Sequence, residues 1–290
     1  MNFEFEKIFN LPRPKSNNPL PWFVEMPIAE HILTIAQVRD HLRSNLVPVG
    51  GHRKDNWNDQ WAGKLAEFKI TRDPLNLLPD YLKVNRTMRY DGQYVLPDSP
   101  LVEYRAAQLF RKALFAEFFK GVDSVHEFGC GSGLNLLDFK EVFPDKKVYG
   151  YDWSDSAVEI INLLFGEGSG RKFDMFGTFG KAFQDNNAGI LTFHSMEQLG
   201  PNWGEFFNFI INRKPSVVVH VEPIYEFYNP ADPLDSLAMS YHRKRNYLSE
   251  YYTGLLNWEH DWHIQIDAAL RVKFGSLYHD AYSYIVWRPA

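Results

Sequence analysis

Three glycines at alternate positions, set between a short β-favouring run and a helical pattern, constrain this chain more than any other feature. Residues 122–133 read Val-Asp-Ser-Val-His-Glu-Phe-Gly-Cys-Gly-Ser-Gly, and the helical pattern begins at Leu134. Glycine tolerates positive φ angles and lets the backbone approach a ligand closely. The pattern therefore predicts a strand, a tight ligand-contacting turn and the start of a helix.

Two carboxylates flank this turn. Glu127 immediately precedes the glycines, and Asp152 ends a second strand predicted over 146–152. The spacing of roughly 20 residues is the one at which a Rossmann-type fold places a carboxylate against ribose hydroxyls. A nicotinamide site would show Gly-x-Gly-x-x-Gly, but Leu134 lies where that pattern requires glycine or alanine. Glu127 would also repel a pyrophosphate and attract a cationic ligand, so a dehydrogenase is the least favoured interpretation.

These residues resemble the class I S-adenosylmethionine-dependent methyltransferases over about the last two thirds of the chain. Their first motif is an acid, any residue and Gly-x-Gly-x-Gly, followed by a second acid at the end of the next strand. The resemblance implies S-adenosyl-L-methionine as cofactor. It implies that Glu127 lies near the methionine part, that the glycines pass beneath the ligand, and that Asp152 accepts both ribose hydroxyls.

The other cofactor contacts that the resemblance implies lie in the turn and at strand ends. They are Phe128, Gly129, Cys130, Gly131, Gly133, Trp153, Asp174, Met175, His194 and Ser195. Asp174 and Met175 would meet the adenine, although an exposed loop acid explains Asp174 equally well. A helix predicted over 101–120, capped by Asp98-Ser99-Pro100, would help to cover the cofactor, with Tyr104 and Arg105 as candidate neighbours.

The pattern beyond Asp152 alternates between helix and strand. Strands are predicted over 171–176, 188–194 and 216–221, and helices over 154–165, where Ser154 can cap, and 203–212. Residues 264–274 and 281–287 alternate as an antiparallel pair would. Periodicity alone gives an α/β fold with a β-rich end. The resemblance implies a Rossmann-like methyltransferase sheet, mostly parallel, with a C-terminal antiparallel strand pair.

Residues 1–100 form a mainly helical N-terminal extension in this interpretation, ahead of a methyltransferase domain over 101–290. The extension begins with a proline-rich extended arm over 1–30, continues with a helix over 28–46, and contains a short helix carrying Trp57, Trp61 and Phe68. We predict a lid over the acceptor or a homodimer contact. An insertion at about 224–262 is rich in Tyr and Trp, which suit the walls of a sugar or aromatic site and also ordinary core.

Three residues at strand ends are candidates for catalysis. His194 follows the fourth strand and has an ordinary pKa suited to taking a hydroxyl proton near neutrality. His220 and Glu222 end the fifth strand on the same side, where Glu222 could orient a hydroxyl, act as a base or bind a metal. A structural role is as good an interpretation for His194 and Glu222, and a better one for His220.

Composition excludes several classes. The net charge is −5 with no long run of one sign, which disfavours nucleic acid as a partner. No stretch approaches the ~20 apolar residues of a membrane span. Cys130 is the single cysteine, so no intrachain disulfide forms, and a cytoplasmic protein is expected. His260 and His263 are metal-capable but lack a neighbouring carboxylate cluster, so no metal site is predicted.

The predicted activity is methyl transfer from S-adenosyl-L-methionine to a small molecule, with a hydroxyl oxygen, for example of a sugar, as the favoured acceptor. Two alternatives stay open. An N-methyltransferase acting on a small amine or peptide predicts an acid-lined acceptor pocket. A non-catalytic partner protein that binds the cofactor predicts no room beside the methyl group.

Overall fold

The computed structural model describes residues 22–82, 86–177, 179 and 187–290. The strands are β1 (Phe23–Glu25), β2 (Met88–Tyr90), β3 (Gln93–Pro97), β4 (Ser124–Phe128), β5 (Lys147–Asp152), β6 (Gly170–Lys172), β7 (Ala188–Phe193), β8 (Val217–Val221), β9 (Ile264–Leu270), β10 (Phe274–Gly275) and β11 (Tyr284–Pro289). The helices are α1 (Ile28–Arg43), α2 (Lys54–Thr71), α3 (Val102–Phe118), α4 (Leu134–Val142), α5 (Asp155–Phe165), α6 (Gly204–Ile211), α7 (Pro233–Arg245) and α8 (Tyr251–His260).

The larger sheet has seven strands in the order β6-β5-β4-β7-β8-β11-β9. β4, β5, β6, β7 and β8 lie parallel to one another, whereas β11 lies antiparallel to both β8 and β9. The predicted α/β fold, a mostly parallel Rossmann-like sheet with a C-terminal antiparallel pair, is confirmed.

Side chains of the central strands alternate between two apolar layers, one on each face of this sheet. Val219 of β8 packs in the layer that contains Phe110 of α3. Its neighbour Val218 packs in the layer that contains Phe207 of α6. A parallel sheet covered by helices on both faces needs such continuously apolar strands. The polar side chains at strand ends are therefore the ones left for chemistry, at the carboxyl edge of the sheet.

A second, smaller sheet was not predicted. Its four antiparallel strands have the order β1-β3-β2-β10, so a strand near the C-terminus completes a sheet of the N-terminal extension. Phe274 of β10 pairs with Tyr90 of β2. The expectation of a mainly helical extension is therefore incomplete, because alternation over three to five residues is too short a signal to reveal strands whose partner lies at the other end of the chain.

Other boundaries differ from the prediction in ways that local physics explains. α2 has 18 residues and is not a short helix. The third parallel strand is Gly170–Lys172, because it pairs with only the last three residues of β5. α3 begins after Leu101 without a side-chain cap, whereas Ser154 caps α5 as expected. The predicted arm over 1–30 falls largely outside the described residues.

Buried ion pairs connect the insertion to the end of the chain. Arg271 donates to both Asp235, in α7, and Asp280, and Arg89 of β2 contacts the same two carboxylates. Removing one member of such a buried network leaves an uncompensated charge and costs several kcal/mol.

Among the ranges listed above, no helix combines the length and the apolar character that crossing a bilayer requires.

Candidate active site

The glycine turn between β4 and α4 has left-handed backbone conformations. The φ angles of Gly129, Gly131 and Gly133 are +71°, +50° and +75°. A Cβ atom on Gly129 would lie 2.4 Å from Cβ of Ser195, and one on Gly131 would lie 2.6 Å from Cζ2 of Trp61. Both the backbone and the space around it therefore require glycine at these positions.

Asp152, at the end of β5, supports the turn from below. Its Oδ2 accepts a hydrogen bond from the Gly131 amide at 3.0 Å, and its Oδ1 accepts one from the Ser154 amide at 2.9 Å. Burial raises the pKa of this carboxyl group to about 6. Each carboxylate oxygen has a second lone pair, so Asp152 can still accept two hydrogen bonds from a ligand.

Glu127, near the end of β4, is completely buried, and only one of its two carboxylate oxygens has a hydrogen-bond partner among the described residues. Its Oε1 accepts a hydrogen bond from Nδ2 of Asn135 at 2.6 Å. Its Oε2 is buried without a hydrogen-bond partner in the described part of the chain. Burial raises the pKa of this carboxyl group to about 8. A buried acceptor without a partner is costly, and a cationic donor would satisfy it.

A cavity opens above the turn, and we call it the turn cavity. Of the residues predicted to bind the cofactor, eight line it: Gly129, Cys130, Gly131, Asp152, Trp153, Met175, His194 and Ser195. Glu127, Phe128, Gly133 and Asp174 do not line it. The Phe128 carbonyl instead accepts a hydrogen bond from Oγ of Ser195 at 2.9 Å, which ties β4 to the turn after β7.

Aromatic side chains from the N-terminal extension form one wall of the turn cavity. Trp57 and Trp61 of α2 stack at 5.9 Å between ring centroids, and Tyr81 packs edge-on against Trp57. All three line the cavity. The spacing of four residues between the tryptophans places them on one helix face, but the sequence does not show what that face covers.

Helix α3 contributes two more lining residues, Tyr104 and Arg111. Arg105, which sequence analysis paired with Tyr104, is exposed and does not line the cavity. Arg111 lies seven residues after Tyr104, on the same helix face, and donates from Nε to Oδ2 of Asp138 at 2.7 Å. In the sequence, the signal for Arg111 is a charged residue on an otherwise apolar face of the predicted helix, and it was not recognised.

The predicted adenine contacts are only partly brought together. Asp174 forms an ion pair with Lys54 at the start of α2 and accepts a hydrogen bond from the Phe176 amide. Trp153 stacks on Phe176 at 5.9 Å between centroids, and Met175 is buried beside them. Trp153 and Met175 line the turn cavity and form an apolar end that suits a planar ring, with Phe176 stacked behind Trp153.

His194 follows β7 in a left-handed conformation, with φ of +53°. Its Nε2 lies 2.6 Å from the Ala281 carbonyl oxygen, and Tyr282 packs edge-on against the ring at 5.0 Å. A carbonyl only accepts, so Nε2 carries the proton. Nδ1 has no protein partner in the described ranges. Burial lowers the pKa of the imidazole to about 4, so the expectation of an ordinary pKa is wrong: the ring is neutral near pH 7 and is a weaker base than predicted.

His220 and Glu222 are fully buried and line neither of the two cavities described here. Glu222 accepts hydrogen bonds from the amides of Ser195 and Met196, both at 3.1 Å, and from the Glu197 amide at 3.3 Å. Nδ1 of His220 lies 2.8 Å from the Thr192 hydroxyl. These contacts support the turn after β7, behind His194.

A second cavity adjoins the first, and we call it the tyrosine cavity. Its walls include Tyr241, Tyr247, Tyr278, Arg53, Arg245 and Glu197. It shares Trp57, Tyr81, His194 and Gln198 with the turn cavity. His194 therefore stands where the two cavities meet. No group of three or more side chains able to hold a metal ion occurs among the residues that the structure describes.

None of the family models and none of the curated proteins matches this chain. Solved structures do match it. The methyltransferase domain of bacterial CtHen1-C has 15% identity and a TM-score of 0.46, covering 63% of this chain and 97% of that one. Geranyl diphosphate C-methyltransferase from Streptomyces coelicolor A3(2), crystallised with S-adenosyl-L-homocysteine, has 12% identity and a TM-score of 0.45. That alignment covers 64% of this chain and 80% of the other.

The plantazolicin methyltransferase BpumL, also solved with S-adenosyl-L-homocysteine, has 13% identity and a TM-score of 0.44. That alignment covers 80% of this chain and 96% of BpumL. With identities of 15% or less and TM-scores below 0.5, these likenesses assign neither an activity nor a substrate to this chain. The activity and the substrate therefore have to be inferred from the residues of the site.

Proposed function

We propose that this protein is an S-adenosyl-L-methionine-dependent methyltransferase that acts on a hydroxyl oxygen of a small molecule. The observation that carries the proposal is the position of Asp152. Its carboxylate is held by the amides of Gly131 and Ser154 at the carboxyl edge of the sheet, and it borders the turn cavity. A carboxylate fixed in this way, with lone pairs to spare, suits a pair of ribose hydroxyls.

The polar groups around the turn cavity fit the rest of that cofactor. Glu127 does not line this cavity, but its Oε2 is buried next to the glycine turn without a partner among the described residues and would accept from the ammonium group of the methionine part. Arg111 would face the carboxylate of the same part, and the stacked pair of Trp153 and Phe176 would hold the adenine. The ammonium and the carboxylate of the methionine part would then each have a partner of opposite sign.

The bound cofactor supplies a methyl group on a sulfonium centre, which is a strong leaving group. The protein therefore has to position both reactants and, for a hydroxyl acceptor, receive one proton. His194 can do so, because Nε2–H is directed at the Ala281 carbonyl and Nδ1 has no partner among the described residues. Its place at the junction of the two cavities suits contact with an acceptor in the tyrosine cavity.

Glu222 and His220, both predicted as catalytic, receive a different role in this proposal. The Glu222 carboxylate is occupied by three backbone amides and the Thr192 hydroxyl. Because that hydroxyl donates to Glu222, it accepts from His220 at Nδ1. We propose that both residues position the turn that carries His194.

The tyrosine cavity also bears on the alternatives. A cofactor-binding protein without methyl transfer would have no space for an acceptor, yet this cavity adjoins the turn cavity at His194. An amine acceptor would favour a cavity rich in carboxylates, whereas Arg53 and Arg245 contribute positive charge here. The first observation favours methyl transfer, and the second favours a hydroxyl over an amine as acceptor. A sugar, a homodimer and a cytoplasmic location stay predictions.

The direct test is transfer of a radiolabelled methyl group from S-adenosyl-L-methionine to members of a hydroxyl-bearing panel that includes sugars and phenols. We expect label in one product class, together with stoichiometric S-adenosyl-L-homocysteine. Label that appears only in amines would replace the oxygen acceptor by nitrogen. Absence of transfer to any acceptor, in protein that binds the cofactor, would contradict the proposed enzyme.

A further inference from the structure

Two arginines border the tyrosine cavity without a carboxylate partner among the described residues. Arg53 precedes α2, and its side chain makes one long hydrogen bond, from Nη1 to Oε1 of Gln198 at 3.5 Å. Arg245 ends α7 and donates from Nη1 to the Val47 carbonyl, while its Nε is buried without a partner. Within the described ranges, neither guanidinium has a carboxylate oxygen within 4.0 Å.

The positive charge in this cavity is only partly balanced by its acidic residues. Glu103 is bound by Arg86 through two nitrogens of the guanidinium. Glu197 is the remaining acid of the lining, and burial together with the charge of Glu222 raises its pKa to about 8. The raised pKa favours the neutral form of Glu197, which weakens its attraction to Arg53 and Arg245.

The two guanidiniums also destabilise each other. Burial and the charge of Arg245 lower the pKa of Arg53. The histidines of the lining add no further charge near neutrality, because burial lowers the pKa of both His194 and His279. Like charges held near each other in a part-buried cavity are costly, and an anion bound between them would relieve that cost.

The remaining wall of the cavity is aromatic. Tyr241 and Tyr278 stack at 4.7 Å with an interplanar angle of 6°, and Tyr247 packs edge-on against Tyr241 at 5.6 Å. Tyrosine rings offer a flat apolar surface together with a hydroxyl group. The cavity therefore has a cationic end, an aromatic side and, at His194, a contact with the turn cavity.

We propose that the tyrosine cavity binds a small anionic molecule, whose carboxylate or phosphate group lies between Arg53 and Arg245 and whose hydroxyl group reaches His194. Guanidinium groups bind both kinds of anion through paired, charge-assisted hydrogen bonds. This inference rests on the proposed function, since it names the class of acceptor. It concerns binding alone, so it can be tested without methyl transfer.

The test is calorimetric titration of the full chain with three probes of similar size: 4-hydroxybenzoate, phenyl phosphate and the neutral 4-hydroxybenzamide. At least one anionic probe should bind about 10-fold or more tightly than the neutral probe. Binding of 4-hydroxybenzoate alone assigns a carboxylate ligand, and binding of phenyl phosphate alone assigns a phosphate. Equal binding of all three probes, or no binding of either anion, overturns the proposal.

Variants locate the site. Arg53→Gln combined with Arg245→Gln should weaken the anionic probe about 10-fold or more, and Arg243→Gln should leave it unchanged. Arg243 is an exposed arginine of the same helix that bonds to Tyr225 and does not line the cavity. Undiminished anion binding in the double variant overturns the proposal.

Titration of the same proteins with S-adenosyl-L-homocysteine separates this inference from the proposed function. Retained binding in the double variant shows that it is folded and that the lost anion binding is local. Wild-type protein that binds the anion but not S-adenosyl-L-homocysteine would refute the methyltransferase and leave the anion site standing.

Discussion

The Nε2 atom of His194 lies 2.6 Å from the Ala281 carbonyl oxygen, and this contact determines which ring nitrogen can receive a proton. Ala281 lies three residues before β11, so the C-terminal antiparallel pair fixes the tautomer of a side chain at the end of β7. The left-handed backbone of His194 is a strained conformation that such a contact helps to maintain. The imidazole is thus prepared to accept a proton at Nδ1.

Replacement of His194 by Gln should lower kcat by about 10²-fold or more, since a positioned base contributes about that much. The glutamine amide can still donate to the Ala281 carbonyl, so cofactor affinity should change little. The measurement is steady-state kinetics beside His260→Gln, an exposed histidine at the end of α8. A His194→Gln enzyme with wild-type kcat would exclude the histidine as base.

The pH profile follows from the same residue. The base form of His194 exists above its pKa of about 4 and is lost as pH falls through that value. We therefore expect no loss of kcat between about pH 6 and pH 8 from this group, and a decline only below about pH 5. A limb centred near the ordinary histidine pKa of ~6.5 would contradict this assignment.

Replacement of Glu222 by Gln tests positioning against catalysis. The amide retains one acceptor oxygen but loses the second, so at least one of the amide contacts from Ser195, Met196 and Glu197 is lost. Loss of a buried acceptor should lower the free energy of unfolding by about 1–3 kcal/mol. We expect reduced kcat with an unshifted pH profile. A shifted profile in a variant of normal stability would make Glu222 the base.

Glu127 should couple cofactor binding to proton release. Its pKa of about 8 keeps it mostly protonated at pH 7 in the absence of ligand. An ammonium group beside it favours the ionised form, lowers that pKa and expels close to one proton. The observed binding enthalpy of S-adenosyl-L-homocysteine should therefore vary with the ionisation enthalpy of the buffer. The buffer dependence should disappear in Glu127→Gln, and its persistence there would assign the proton to another group.

Gly131 should tolerate no side chain. In Gly131→Ala, the positive φ and the approach of Trp61 should together lower the free energy of unfolding by about 1–3 kcal/mol. Gly92→Ala is the matched control, because Gly92 has φ of +76° but open space around it. Denaturant titration of both variants separates the cost of the positive φ, which both share, from the cost of the steric clash with Trp61, which only Gly131→Ala has. Equal losses in the two would show that Trp61 does not press on the turn.

What could be predicted from the sequence is what neighbouring residues determine. The glycine turn, the acid that ends β5 and the Ser154 cap depend on residues within a few positions of one another. The alternation of residues 264–274 and 281–287 likewise predicted the antiparallel pair, although β11 is buried on both faces and only β9, at the edge, has a more open one. These signals were enough for the fold, because a parallel sheet with covering helices is built from repeated local units.

What could not be predicted depends on contacts between distant segments. β10 joins β2 across most of the chain, and Trp61 reaches Gly131 from a helix that carries no recognisable motif. Arg53 and Arg245 likewise line one cavity only because segments far apart in the sequence pack together. The sequence correctly placed Glu222 at the end of a strand. It could not show that three backbone amides occupy its carboxylate, because those amides belong to the turn after a different strand, β7.

The central claim is that the Asp152 carboxylate holds the ribose of S-adenosyl-L-methionine, and calorimetric titration with that cofactor tests it most directly. We predict binding with a Kd on the order of 10 µM for the wild type. Asp152→Ala should weaken it about 10-fold or more through lost hydrogen bonds to a charged group, and Asp155→Ala, on the surface next to it, should not. No binding to folded wild-type protein, or equal binding in folded Asp152→Ala, would contradict the claim.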